Sequence, residues 1–197
     1  TLDMRIPHRN CRRQRFCFLH CTPFASKLSP LSPLSFVPAA ITFYLAELPL
    51  RLFHTSDWHL GQNLHGQDRD FEHGCFLDWL LRQLKLDQPD VLLIAGDVFD
   101  TVNPPVKAQE RLYDFIVSAH EQQPLLTIVM IAGNHDSGSR IELPAPLMRR
   151  LRTHALGRVL WLDDGQLDAE RLLLPLPDAN GDIAGWCLAL PFLRPAE

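Results

Sequence analysis

Asp57 and His59, Asp97 and Asp100, and Asn134, His135 and Asp136 are the residues whose types and spacing could do chemistry. Carboxylate, imidazole and carboxamide are donors that hard-to-borderline divalent cations accept. Asp57 and His59 flank Trp58. In an extended segment residues two apart point the same way, so one carboxylate and one imidazole can meet a single ion. Asp97 follows an apolar run and Gly96, which lets the backbone turn close to a site. A carboxylate at the end of a hydrophobic strand needs a cation, and with two ions present it can bridge both. Asn134 offers a neutral carbonyl oxygen to a second ion. His135 beside it should face the scissile phosphate, placed to protonate a leaving alkoxide or to steady phosphoryl charge. Asp136 is expected to orient His135, as carboxylates do for working imidazoles. Each residue alone has a plainer reading as a loop Asp, a turn Asn or a surface His. Together they indicate metal-assisted hydrolysis of a phosphate ester.

The three groups each end a short apolar run, and those runs read as strands. Arg51–Ser56 is the first, and Asp90–Ala95 and Leu125–Ala132 are continuous enough to be buried on both faces. Between them, Phe71–Leu86 carries Phe76, Leu77, Leu80, Leu81 and Leu84 at helical spacing. Val106–Gln123 follows Pro104-Pro105 and sets Leu112, Phe115, Ile116 and Ala119 on one helical face. A short helix is expected from Pro146 to Leu151, with further strands at Arg158–Leu162 and Trp186–Leu190. The order β-α-β-α-β-α-β predicts a mostly parallel sheet with right-handed crossovers. Ligand loops on such a sheet gather at the carboxyl ends of its strands.

The 197 residues, 46% hydrophobic, suffice for one domain with its own core. A net charge of −4 excludes a strongly basic nucleic-acid binder. Residues 1–50 carry six basic and two acidic side chains, a net of +4, which leaves −8 for the remainder. This leader is rich in Arg, Ser and Pro. We expect residues 1–49 to be a disordered extension or sequence read from upstream of the true start, with a targeting peptide as the lesser alternative. Its apolar stretch, interrupted by Pro38, Glu47 and Pro49, is too short for a membrane span. Five cysteines without a Cys-x-x-Cys pair favour a reducing compartment such as the cytoplasm, with Cys75 and Cys187 as core thiols. His54 reads as a strand core residue, and His73, His120 and His154 have no ligand spacing. His65, Asp68 and Arg69 lie in loops near the site, as Asp100 does, where solvated charge is the default. Arg140, Arg149, Arg150, Arg152 and Arg158 form a basic cluster that reads as a solvated face before it reads as a phosphate contact.

These motifs resemble the calcineurin-like metallophosphoesterases. Within them the likeness is to the Mre-type nucleases that include the nuclease subunit of bacterial SbcCD. The likeness rests on the run Arg51–Gln62, on Ala95–Thr101, on Pro104-Pro105, on Ala132–Ser137 and on Leu190–Pro195, and covers roughly residues 50–197. Leu50 stands where that family has its opening Met. The resemblance implies an α/β fold, a four-layer α/β/β/α sandwich incomplete at its C-terminal side. It implies Asp57 and His59 on one metal, Asp97 bridging, Asn134 on the second and His135 acting on the phosphate. Asp136, Asp100 and Arg69 are read as supporting residues from their places in the loops alone. It implies manganese, with magnesium as a substitute, and DNA phosphodiester hydrolysis in recombination, replication and repair. An SbcC-like coiled-coil ATPase and a homodimer are the implied partners, without a membrane. Family members supply further metal-binding His residues from later loops, whereas residues 51–197 contain no His-x-His. The chain alone is therefore expected to bind metal weakly and to be inactive or nearly so. Two alternatives stay open: another calcineurin-like phosphoesterase acting on phosphoproteins or cyclic nucleotides, and a non-catalytic piece that binds metal or dimerises.

Overall fold

The apolar runs fold as their periodicity requires. A computed structural model describes residues 50–194; the leader, with Cys11, Cys17 and Cys21, lies outside the described residues. In chain order the elements are β1 (Leu52–Thr55), β2 (Asn63–Leu64), β3 (Gln67–Asp68), α1 (Asp70–Asp87), β4 (Val91–Ala95), α2 (Val106–Gln122) and β5 (Thr127–Ile131). There follow α3 (Gly138–Glu142), α4 (Ala145–Met148), a 3-10 turn (Arg149–Leu151), β6 (Thr153–Leu156), α5 (Ala169–Leu172), β7 (Leu173–Pro177) and β8 (Ile183–Leu188). β1, β4, β5 and β6 make a parallel four-stranded sheet in that order.

Alternation along the strands divides the interior in two. Leu92, Ile94, Ile128, Met130 and Ala155 face one way and pack with Leu77, Leu80 and Leu84 of α1 and Leu112, Phe115, Ile116 and Ala119 of α2. Val91, Val129 and Leu156 face the other way, into a second core closed by Leu172, Leu174, Leu176 and Ala189. The antiparallel hairpin β7–β8 thus forms a second β layer. Helices, parallel sheet and hairpin make three layers among the described residues. The outer helical layer of the expected four-layer sandwich is not among them, and Trp186 and Leu188 on the hairpin are exposed.

Several local expectations change. The strand expected at Arg158–Leu162 is β6, Thr153–Leu156, which starts directly after the helical turn ends at Leu151, with Arg152 at φ 49° turning the chain into it. Of the later apolar run only Val159 is buried, while Leu160, Trp161 and Leu162 are exposed. The last strand likewise begins earlier, at Ile183. β7 is a strand despite Pro175 and Pro177; it pairs with β8 alone, and an edge tolerates proline. His54 is exposed rather than core, because β1 is an edge strand and the face shared by Leu52 and His54 is left open. Cys75 also turns outward on α1, while Cys187 is half-buried and burial pushes its thiol up.

Candidate metal centre

The loops after β1, β4 and β5 meet at the carboxyl end of the sheet. The first two run together as a ribbon: Asp57 N donates to Gly96 O (3.1 Å), His59 N to Asp97 O (2.9 Å), Leu60 N to Val98 O (2.9 Å) and Asp100 N to Leu60 O (3.2 Å). Trp58 anchors the ribbon from below. It is buried edge-on against Phe76 and Phe115, and its Nε1 donates to Thr55 Oγ1 at 3.0 Å. Sinking Trp58 leaves Asp57 and His59 on the open side. They do not converge through extended backbone, as expected. Asp57, His59 and Asp97 all lie in the left-handed region, with φ of 57°, 47° and 48°. Non-glycine residues occupy that region at a cost, and such strain gathers where function demands it.

The result is a compact donor set. His59 Nε2 lies 3.9 Å from Asp57 Oδ1 and 3.9 Å from Asp97 Oδ2. Two oxygen or nitrogen donors each about 2.1 Å from one ion stand between about 3 and about 4 Å apart. The spacing and chemistry of Asp57, His59 and Asp97 therefore fit a divalent cation. The backbone is cut to admit Asp97. A Cβ on Gly133 would lie 2.2 Å from Asp97 Oδ1 and 2.3 Å from its amide nitrogen. Asp97 Oδ1 also accepts from His135 N at 2.9 Å, which ties the second loop to the third. Asn134 follows Gly133, exposed on the same loop.

Asp136 has a different task from the one expected. Its fully buried carboxylate accepts from Gly133 N (2.8 Å), Val98 N (3.1 Å) and Phe99 N (2.8 Å). Burial pushes its carboxyl up against the pull of those three amides. It staples two loops rather than orienting His135. The His135 ring is set by Asp100, whose main-chain carbonyl accepts from Nδ1 at 2.8 Å; that bond, then the charges of Asp97, Asp100 and Asp136, raises the imidazole above its ordinary value. The ring stands edge-on to His59, with centroids 4.8 Å apart. The Asp100 carboxylate faces His59 instead, with Oδ1 3.3 Å from Nδ1. Asp100 also accepts from Gln62, which Arg69 holds in turn.

Other residues fall away from the centre. Asp68 accepts from Asp70 N at 2.7 Å at the start of α1, and His65 is exposed in the β2–β3 turn. His120 is buried on Thr153 Oγ1 (3.0 Å), and His73 is buried in α1. The basic cluster divides. Arg149, Arg150 and Arg152 precede β6, at the end of the sheet opposite the centre, while Arg140 and Arg158 lie toward the carboxyl end. Arg158 and Arg171 both pair with Glu142. Sequence reading missed Gln62, since a lone Gln after Gly carries no pattern, and gave Arg194 no role. Arg194 Nη2 donates to the carbonyls of Asn134 (3.3 Å) and Asp136 (2.7 Å), and Phe192 N donates to Ala132 O (2.9 Å). The segment Phe192–Arg194 thus straps the third loop.

Comparison with known proteins shows the family. A family model described as calcineurin-like phosphoesterase matches residues 50–181. A Rhodobacter capsulatus protein named as the SbcD subunit of the nuclease SbcCD is 45% identical over 148 residues, which cover 75% of this chain and 36% of that protein. Proteins of the same name from Escherichia coli K12 and Bacillus subtilis are 37% identical over 148 residues and 42% identical over 142, each match covering 34% of the relative. The chain spans about a third of the length of these relatives.

Proposed function

We propose that this chain, which belongs to the calcineurin-like phosphoesterase family, is the metal-binding part of a DNA nuclease of the SbcD type. The convergence of Asp57, His59 and Asp97 on a common point, with His135 beside it, carries the reading. Two divalent ions are the cofactors we assign, manganese first and magnesium as a substitute. Asp57 and His59 would hold one, Asp97 both and Asn134 the second. Bound there, such ions supply Lewis acidity at the phosphoryl group and lower the pKa of water. The chain's own residues do the rest. Gly133 leaves room for Asp97, Asp136 fixes the loops, and Asp100 aims the His135 ring. Charged as an imidazolium, His135 would also hold a proton on Nε2, opposite the Nδ1 that donates to Asp100, where it could pass to a leaving oxygen or steady phosphoryl charge.

The substrate we assign is DNA, cut as a 3′-to-5′ exonuclease on duplexes and as an endonuclease on single strands and hairpins, in recombination, replication and repair. The names of the relatives support a nuclease and a partner subunit of the SbcC type. The cleavage modes, a homodimer and a cytoplasmic site of action complete the reading we propose. No helix among the described residues is long and apolar enough to cross a membrane. The pairing of Gly-Asp-Val-Phe-Asp with Gly-Asn-His-Asp speaks against a phosphoprotein phosphatase. With no His-x-His in residues 51–197, the chain alone is read as weakly metal-binding and inactive or nearly so.

Manganese titration by calorimetry on the full chain, with an Asp97→Ala control, tests the centre. Binding that the substitution removes supports it, and equal binding by both refutes it. Duplex DNA, a chromogenic phosphodiester and a phosphomonoester assayed side by side test the substrate; turnover of the monoester alone would refute a nuclease. Measurable manganese-dependent nuclease activity of the chain would refute its inactivity in isolation.

A further inference from the structure

We infer that Gln62, clamped by Arg69, is a positioning residue that holds the Asp100 carboxylate against Nδ1 of His59 and so presents Nε2 to Asp57 and Asp97. This rests on the metal-centre reading above and names residues that reading does not use. Arg69 Nη1 donates to Gln62 Oε1 at 2.6 Å, and Gln62 Nε2 donates to Asp100 Oδ1 at 3.2 Å. The polarity of each link is forced. A guanidinium only donates, so Oε1 must face Arg69. The amide nitrogen then faces Asp100, and an ionised carboxylate only accepts. The Gln62 amide cannot flip without setting donor against donor at one end and acceptor against acceptor at the other.

The next link is His59. Its Nδ1 is buried without a hydrogen bond of good geometry, and Asp100 Oδ1 stands 3.3 Å away. In the arrangement we infer, Nδ1 carries the proton toward Asp100 and Nε2 keeps its lone pair toward Asp57 and Asp97, whose carboxylates 3.9 Å away are the competing acceptors. The main chain repeats the arrangement. Gln62 N donates to His59 O (3.0 Å), Arg69 N to Gln62 O (3.2 Å) and Asp100 N to Leu60 O (3.2 Å). The β2–β3 hairpin lies between Gln62 and Arg69 in sequence, so it closes the relay as a loop rooted beside the ligand.

The test uses the full chain labelled with 15N-histidine, free of metal, read by the imidazole nitrogen shifts of His59, and then titrated with manganese ion by electron paramagnetic resonance. We expect the unsubstituted chain to show the Nδ1-protonated tautomer. Gln62→Glu keeps a partner for Arg69 but has no donor for Asp100; it should give a mixed tautomer and weaken manganese binding about five-fold, below the about 10- to 100-fold typical of a direct outer-shell partner. Arg69→Ala should do the same and Arg69→Lys should restore both readouts. A merely structural role would move the melting temperature and leave the tautomer alone, and that result overturns the proposal. So does an Nε2-protonated His59 in the unsubstituted chain. Manganese binding that Asp97→Ala leaves unchanged would defeat the metal-centre reading instead, while the tautomer still reports the relay.

Discussion

The carboxylate of Asp136 is joined to the amide of Phe99, 37 residues away, by a 2.8 Å hydrogen bond in the fully buried floor between the second and third loops. Val98 and Gly133 donate to the other oxygen. All three donors are main-chain N–H groups and none can be turned away. Asp136→Asn would set an amide nitrogen against a donor, and Asp136→Ala would strand all three. Leaving a buried donor unpaired costs about 1–3 kcal/mol. Urea unfolding should show losses of about 2 kcal/mol for Asn and about 3 kcal/mol for Ala with unchanged slope. A loss below about 0.5 kcal/mol for Ala would mean that water or relaxation satisfies the amides.

Gly133→Ala tests the closeness of the same loops from the other side. The added carbon would lie 2.2 Å from Asp97 Oδ1, so the second and third loops must part. We expect a destabilisation of about 1–3 kcal/mol and loss of manganese binding. Gly66→Ala is the control: its φ is 76° and its Cβ meets nothing within 4 Å. It should cost about 1 kcal/mol of backbone strain and leave manganese affinity intact. Equal effects on binding would show that Gly133 is not placed for Asp97.

Backbone strain at the residues assigned to the metal gives a prediction in which stability and binding part company. Asp57 has φ 57° and a side chain 66% exposed, so it contributes little packing. Asp57→Gly relieves the left-handed cost and Asp57→Ala does not. Thermal melts should place Gly above Ala by about 1 kcal/mol, and both should lose manganese binding. A Gly variant no more stable than Ala would show that the left-handed turn costs nothing here.

How much of this was legible in the sequence follows from which contacts are local. Leu77, Leu80 and Leu84, and Leu112, Phe115 and Ile116, betray their helices because burial of one face fixes their spacing. Val91–Ala95 betrays its strand because both faces are buried. The donor set Asp57, His59 and Asp97 was legible because parallel topology brings such loops together whatever their details. The left-handed turns at those residues were not, since the strain is imposed by neighbours. Asp136 was misassigned for a related reason: its partners Val98 and Phe99 are distant in sequence, while His135 is adjacent. β6 was displaced because Thr-His-Ala-Leu has no apolar alternation, and its burial comes from α3, α4 and the hairpin. No local pattern marks the close approach of Gly138 and Gly157, where a Cβ on Gly138 would lie 2.1 Å from the carbonyl oxygen of Gly157.

Asp70 supplies a prediction in pH. Arg111 donates to both of its oxygens, from Nε at 2.6 Å and from Nη2, and Lys107 lies 2.9 Å away. The Arg111 hydrogen bonds, aided by Lys107 and opposed by burial, lower the carboxyl from 3.8 to about 2. A depressed carboxyl stabilises the fold above its ordinary value, and that contribution is lost as pH falls from about 4 through about 2. Arg111→Ala should therefore cost about 1 kcal/mol near neutral pH, and the difference from the unsubstituted chain should shrink toward zero by pH 2. Denaturant midpoints at pH 7, 4 and 2 measure it. A difference constant with pH would assign the loss to the packing of the Arg111 stem against α1 rather than to its charge.

The strap at Phe192–Arg194 is the last contact the centre depends on. Arg194 donates to the carbonyls of Asn134 and Asp136, so its guanidinium holds the peptide groups before His135 and after Asp136. Those carbonyls belong to the loop that carries Asn134 and His135, to which the proposed function gives a metal ion and the phosphoryl group. The guanidinium also brings a positive charge to that loop. Arg194→Ala removes both effects, and Arg194→Lys keeps the charge but not the two-carbonyl reach. Because the strap lies outside both hydrophobic cores, we expect either variant to melt close to the unsubstituted chain. Manganese affinity should fall by about three- to ten-fold in the Ala variant and by less in the Lys variant, and the His135 nitrogen signals should broaden as the loop gains freedom. Unchanged affinity together with sharp His135 signals would show that Gly133, Asp97 and Asp136 suffice to hold the loop, and that the strap serves only to close the end of the hairpin.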